Sequence, residues 1–470
     1  MVDAYFGADK FRPALGRYVE AYEDGVADSP EFFDIIGRET GEPNLTRAFR
    51  SFVEQNGLPL ISVEQTSPNT LELTQSRYGP LGTKIADDRT WVVPFCFYRG
   101  TVDGRNRLCL LLDEKKKKLV WDPNVTTENE TRWFLPNAGG TGYYRFSMPY
   151  DMWQDLGRNF GGLSAGEKLS TLDSVGAEFA AGRIDVQTVW RFIDEAVRDD
   201  ERRVVQAAIR EAGKFERLLA NDGAALAGYR ASILDVFRYR YEALDQHGGD
   251  DPELAIMKSS LERFLIRTGQ DESLRDELAA AAATFIGLEG ATSDRAITTD
   301  EYLTSMAVGL QVYGEPFLER LLAARGELDD PVFEQAAAYA LGQNQDPELV
   351  ERILDLALSG DLGSRETRTI ARGQMRQAQT RDATWAWVQA NFPTYLEVIP
   401  RQRKRSSPAL ADAMCSMTAR DDLIALFEQY GDLAEGHERA LTQTIERIEL
   451  CSALEVAKGE EVRAFFRSRG

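Results

Sequence analysis

The sequence predicts a multidomain α+β protein: a short helical stretch, a compact antiparallel β domain, then a large, all-helical region. Three observations carry this. Apolar residues recur at three- and four-residue spacing up to residue 57. At Leu58 the period changes to short runs rich in β-branched and aromatic residues. From residue 151 to 470 the helical pattern returns, broken only by capping signals.

In the first stretch Val2, Tyr5, Phe6, Phe11, Leu15, Tyr18, Val19 and Tyr22 make one amphipathic stripe. Pro30 opens a second helix in SPEFFDIIGRETG, and Gly57 stops a third, LTRAFRSFVEQNG. Strands are read at LPLISVEQ (58–65), TLELTQSRYG (70–79), TWVVPFCFYRG (90–100), RLCLLLD (107–113), KLVWD (118–122) and RWFLPN (132–137). Turn-forming Gly, Pro, Asn and Asp separate them, and the β-sandwich over 58–150 ends near Tyr150. DEKKKKLVW (113–121) reads as the charged tip of a hairpin.

The helical region is punctuated systematically. Asp251, Asp330 and Asp346 each place a capping carboxylate before a first-turn proline. Ser164 with Glu167, and Thr298 with Glu301, have capping-box spacing. In DPELVERILDLALSGD, Leu349, Val350, Ile353, Leu354 and Ala357 share one face. Many short helices in series without a strict period predict an irregular, HEAT-like α-solenoid over 151–470.

Chemistry is harder to find. NAGGTGYYRF (137–146) has the glycines of a phosphate loop, but strand-like residues follow it instead of a helix, and no Gly-Lys-Ser/Thr appears. It reads as a turn entering a strand. Only two histidines exist, His247 and His437, in polar loop-like segments without metal-ligand spacing. No G-x-S-x-G elbow is present. Neither catalytic nor metal residues can be named, and the substrate-binding residues are unknown from sequence.

Lysine and arginine number 55 against 76 aspartate and glutamate, for a formal net charge of −21. That argues against nucleic acid, which needs clustered cations. The one basic run, RQRKRSSP (401–408), reads as a solvated connection. No apolar run is long enough to span a bilayer, and the N-terminus lacks a basic n-region and cleavage site, so neither a membrane partner nor a secretion signal is expected. Cys96, Cys109, Cys415 and Cys451 read as buried thiols of a reducing, cytoplasmic compartment, with disulfide pairing left open. Asn44, Asn124 and Asn129 begin N-x-[ST] triplets, which matter only in a secreted protein.

The order of segments resembles the C-terminal half of the gluzincin zinc aminopeptidases of the aminopeptidase N and puromycin-sensitive aminopeptidase type. YFGADKFRPALGRYVEAY is similar to a helix near the end of the family's catalytic domain. FVEQNGLPLISVEQ resembles the junction into the β-sandwich, with Phe52 where tryptophan is usual. WVVPFCFY and NAGGTGYYRFSMPYDMWQDLG resemble the W-x-V-P-x-x-Y and N-x-x-x-x-G-Y-Y-R-V segments and are the most specific match. YALGQNQDPELVERILDLALSGDL with TWAWVQANFPTYLEVI resembles the helical C-terminal domain.

The resemblance implies a zinc exopeptidase that removes N-terminal residues from peptides. Its H-E-x-x-H, downstream glutamate ligand, G-x-M-E-N and catalytic tyrosine would all precede Met1, so no catalytic or metal residue carries over. The chain is therefore expected to hold no cofactor itself and to be inactive alone. Residues 1–57 would be the tail of a truncated catalytic domain, with Tyr5, Phe6, Phe11, Phe32, Phe33 and Ile36 leaving an apolar face for the missing half. The expected partners are that half and a peptide substrate, whose carboxylate would meet arginines among Arg238, Arg240, Arg368, Arg372 and Arg376. The alternative is a free-standing solenoid adaptor without catalysis.

Overall fold

The computed structural model describes the 470 residues except 43, 68, 86–88, 102–103, 121–130, 220–221, 246–250 and 289–296. It divides into two compact units, Met1–Lys214 with Gly249–Met257, and Phe215–Gly248 with Lys258–Gly470.

The first unit begins with helices α1 (Val2–Phe6), α2 (Ala8–Ala21), α3 (Ser29–Glu39) and α4 (Asn44–Val53). Asp28 and Glu31 form a capping box at α3, with Pro30 in the first turn. These helices build their own core: Val2, Ala14, Ile36, Leu45 and Ala48 are buried together with Val92. The exposed apolar face expected here is therefore corrected. Ile36 is fully buried and Phe33 nearly so, because α3 packs on α2 and α4. Tyr5, Phe6, Phe11 and Phe32 are half-buried, and the exposed side chains are Leu15, Val19, Val26 and Val53.

The strands follow as β1 (Pro59–Ser67), β2 (Thr70–Arg77), β3 (Val93–Thr101), β4 (Gly104–Leu112), β5 (Lys116–Val120), β6 (Trp133–Leu135) and β7 (Arg145–Ser147). They form two small sheets, ordered β5-β2-β1-β7 and β4-β3-β6. Two expectations change. The domain is not wholly antiparallel: β7 pairs parallel to β1, with Leu60 opposite Arg145, because the chain returns to it from the other sheet rather than through a hairpin. The lysines are not a hairpin tip either. Lys116, Lys117 and Lys118 lie in β5, at the edge of the sheet that does not contain β4, and Lys116 and Lys118 bracket Glu72 at 2.7 and 3.8 Å. Charge on an edge strand blocks further pairing.

Helices α5 (Tyr150–Arg158), α6 (Ala165–Ala180), α7 (Val186–Val197) and α8 (Arg202–Gly213) complete this unit. α6 packs on β7, so the contacts group 151–214 with the sheets.

Among the described residues twelve further helices follow in sequence: α9 (Gly223–Asp245), α10 (Pro252–Phe264), α11 (Glu272–Ile286), α12 (Tyr302–Tyr313), α13 (Glu315–Leu328), α14 (Pro331–Gly342), α15 (Val350–Leu358), α16 (Ser364–Gln374), α17 (Arg381–Val398), α18 (Arg401–Lys404), α19 (Met417–Tyr430) and α20 (Glu438–Arg467). Asp330 and Asp346 accept from backbone N–H groups two residues on, at 2.9 Å each, as their place before proline predicts. Helices pack on their second neighbours: α12 on α14, α14 on α16, α15 on α17. One apolar core runs through them from Ala282 to Ile448. α20 lies against α9.

The cysteines are not free thiols. Cys96 and Cys109, directly opposed on β3 and β4, form one disulfide, and Cys415 and Cys451 form another across 36 residues. The cytoplasmic expectation loses its support, since disulfides persist in oxidising compartments. Substituting Cys415→Ser and Cys451→Ser together is expected to cost about 3–4 kcal/mol from the loop length. The check is a chemical-denaturation midpoint for the helical unit. A midpoint equal to that of the oxidised wild-type chain rejects the bridge.

Candidate functional site

The glycine-rich loop is occupied by the protein's own carboxylate. Glu167, 1% exposed, accepts from the Gly139 N–H at 2.9 Å, the Ser164 N–H at 2.8 Å and Arg105 Nη1 at 3.0 Å. Burial pushes its pKa up, but these donors outweigh it and the net shift is downward. Asn137 Oδ1 accepts from the Gly142 N–H at 2.8 Å, closing the loop. Gly140 has φ 65°, and a Cβ there would stand 2.0 Å from the Gly166 carbonyl oxygen. Of the residues that follow, Tyr144 is buried and donates to Pro136 O at 2.8 Å, whereas Tyr143 is exposed. Arg145 holds Asp173 through two bonds, at 2.9 and 3.1 Å, and lies over the Tyr78 ring. This is a turn entering β7, locked to α6.

Metal ligands are not assembled. Among the described residues no three His, Cys, Asp or Glu side chains are placed to hold an ion. His437 stacks on Phe427 with ring centroids 5.0 Å apart, and its Nδ1 lies 3.2 Å from Ala434 O. His247, Asn124 and Asn129 lie outside the described residues, and Asn44 begins α4.

The candidate site is a cationic, amide-rich face of the second unit. Glu216, on a 3₁₀ turn (Glu216–Leu218), lies within electrostatic reach of Arg230 on α9, Arg267 on a π-turn (Leu265–Gly269) and Arg381 opening α17. None of these comes within ion-pair distance of Glu216. Burial raises the Glu216 pKa despite the arginines, and burial lowers those of Arg230, Arg381 and the neighbouring Arg275 on α11. Arg230 Nε is buried without a hydrogen-bond partner.

A ladder of amides extends from this cluster. Arg275 Nη1 donates to Gln311 Oε1 at 3.0 Å, and Gln311 Nε2 donates to Gln343 O at 2.7 Å. Gln343 Oε1 accepts from Gln377 Nε2 at 3.0 Å and from Arg267 Nη2 at 3.4 Å. The rungs are 36, 32 and 34 residues apart, so the same end of successive helix pairs is tied together. Among the described residues the arrangement has no nucleophile paired with a base. Its chemistry is recognition of anionic and amide groups by partly desolvated donors.

The arginines proposed from sequence are distributed differently. Arg238 is tied to Glu242 and Asp271, each at 3.3 Å. Arg240 is half-buried elsewhere on α9, and Arg376 is exposed. Arg368 and Arg372 come together on α16 and are not among the arginines that act on Glu216. Sequence reasoning missed Arg230, Arg267, Arg275 and Arg381. The recurrence of glutamine in helix-terminal turns at 311, 343 and 377 could have pointed to their face.

Residues 133–450 match the family model described as the ERAP1-like C-terminal domain. The chain is 20% identical over 469 residues to Aminopeptidase M1-B of Oryza sativa subsp. japonica, covering 96% of this chain and 52% of that protein. Probable aminopeptidase 2 of Sulfurisphaera tokodaii is 23% identical over 408 residues, covering 83% and 45%. Alanine/arginine aminopeptidase of Saccharomyces cerevisiae is 20% identical over 459 residues, covering 95% and 51%. The chain thus spans about half the length of the curated relatives it matches. It belongs to the ERAP1-like C-terminal domain family and corresponds to the C-terminal portion of an M1 aminopeptidase.

Proposed function

We propose that this chain is the non-catalytic portion of a zinc aminopeptidase that removes N-terminal residues from peptides, contributing the wall that holds the substrate beyond the scissile bond. The observation that carries it is the arginine–glutamine face around Glu216, where an excess of partly desolvated guanidiniums stands ready for a peptide carboxylate and the amide ladder for peptide backbone. In this reading residues 1–57 belong with the catalytic half, 58–150 are a β-sandwich, and 151–470 are an irregular HEAT-like superhelix. The described residues do not fit a zinc site, so zinc would come with the other half.

The test is to join or co-express this chain with the N-terminal portion of a matching aminopeptidase. The chain alone is expected to leave aminoacyl-anilides untouched. The pair is expected to hydrolyse them and graded peptides, with loss on chelation. Arg230→Gln with Arg381→Gln should raise KM for long peptides about tenfold or more while sparing the anilide, as expected when charge-assisted bonds to a carboxylate are lost. A pair that is inactive, or indifferent to chelator, leaves the adaptor reading.

A further inference from the structure

A second cationic cluster lies on α16–α18. Arg368 and Arg372 stand one turn apart on α16, both half-buried, and within electrostatic reach of Tyr395, which is 1% exposed on α17. Arg403 of α18 is close enough to repel Arg368. Among the described residues, no carboxylate comes within ion-pair distance of these three arginines. In this they differ from Arg145, Arg198, Arg320, Arg420 and Arg467, each of which holds an acid within 3.0 Å. Arg401, Lys404 and Arg405 of the basic run continue the cluster at the surface, where among the described residues their one ion pair is with Glu435, 3.6 Å from Arg401 with both side chains nearly fully exposed.

Leaving these guanidiniums unpaired is costly, because like charges repel and the partial burial of Arg368 and Arg372 weakens their hydration, while Arg403 stays exposed beside them. A single carboxylate would still leave two positive charges. A phosphate dianion offers three acceptor oxygens to three planar forks and more nearly balances the charge. We infer that Arg368, Arg372 and Arg403 bind a small multivalent phosphate, with the 401–405 run receiving a second phosphoryl group. The site shares no residue with the cluster around Glu216 and stands whether or not the peptide reading does.

The experiment is calorimetric titration of the full chain with pyrophosphate at fixed ionic strength, with succinate as the dicarboxylate comparison. Pyrophosphate is expected to bind at one site, and Arg368→Gln with Arg372→Gln to weaken it about tenfold or more. Arg403→Gln should weaken it less. Without ligand the double variant should melt no earlier than wild type, since substitution relieves repulsion, and this separates lost binding from lost folding. Arg230→Gln should bind pyrophosphate normally. Equal binding of succinate, retained affinity in the double variant, or equal loss in Arg230→Gln would each overturn the site.

Discussion

Glu167→Ala is expected to destabilise the first unit by about 3–5 kcal/mol, the range for breaking a buried charged contact and leaving its donors unpaired. The Gly139 and Ser164 N–H groups and Arg105 would lose their common acceptor. Because the Glu167 pKa is depressed in the folded chain, its contribution is present above the ordinary carboxylate range and fades as pH falls through the folded value. The penalty measured by urea unfolding at pH 7 should therefore shrink at acid pH. Glu167→Gln, which keeps the shape and one acceptor, should cost less at pH 7. A penalty that does not change with pH would show that packing, not charge, is what the residue supplies.

Phe466→Ala is expected to remove about 3–5 kcal/mol from the second unit, the usual cost of emptying an aromatic site in a core that cannot collapse around it. The ring is fully buried, with centroids 5.1 Å from Tyr229 and 5.8 Å from Phe215. Relaxation is blocked nearby: a Cβ on Gly228 would stand 1.9 Å from Phe466 O. Arg467→Ala, one residue further along α20, removes the pair with Asp222 and should cost much less, because that pair is partly solvated. Unfolding of the two variants under one set of conditions checks the ranking. Equal costs would mean that α20 is held by its charges.

Much of the fold was legible because it rests on local rules. The period change at Leu58 marks where β1 begins, and Asp330 and Asp346 cap where a carboxylate before proline should. What was not legible depends on partners far along the chain. The parallel pairing of β7 is decided by the sheet from which the chain returns, which no local pattern records. Phe33 and Ile36 face a helix of their own unit, and an apolar stripe does not say which surface covers it. The cationic face was the least readable. Arg230, Arg267 and Arg381 come from three separate elements, and an arginine aimed at a shared centre has the same spacing as one aimed at water. The disulfides show the same limit, since Cys415 and Cys451 meet only once α20 has packed.

The embrace of α9 by α20 sets the order in which the second unit can mature. Arg463 donates to Leu218 O and Arg467 holds Asp222, each across 245 residues of sequence. During translation, Phe215 and Tyr229 emerge long before Phe466 and have no lid until it arrives. The nascent chain must therefore carry an unsealed apolar seam through most of its synthesis, a natural resting place for a chaperone and the step at which a premature stop would be most damaging.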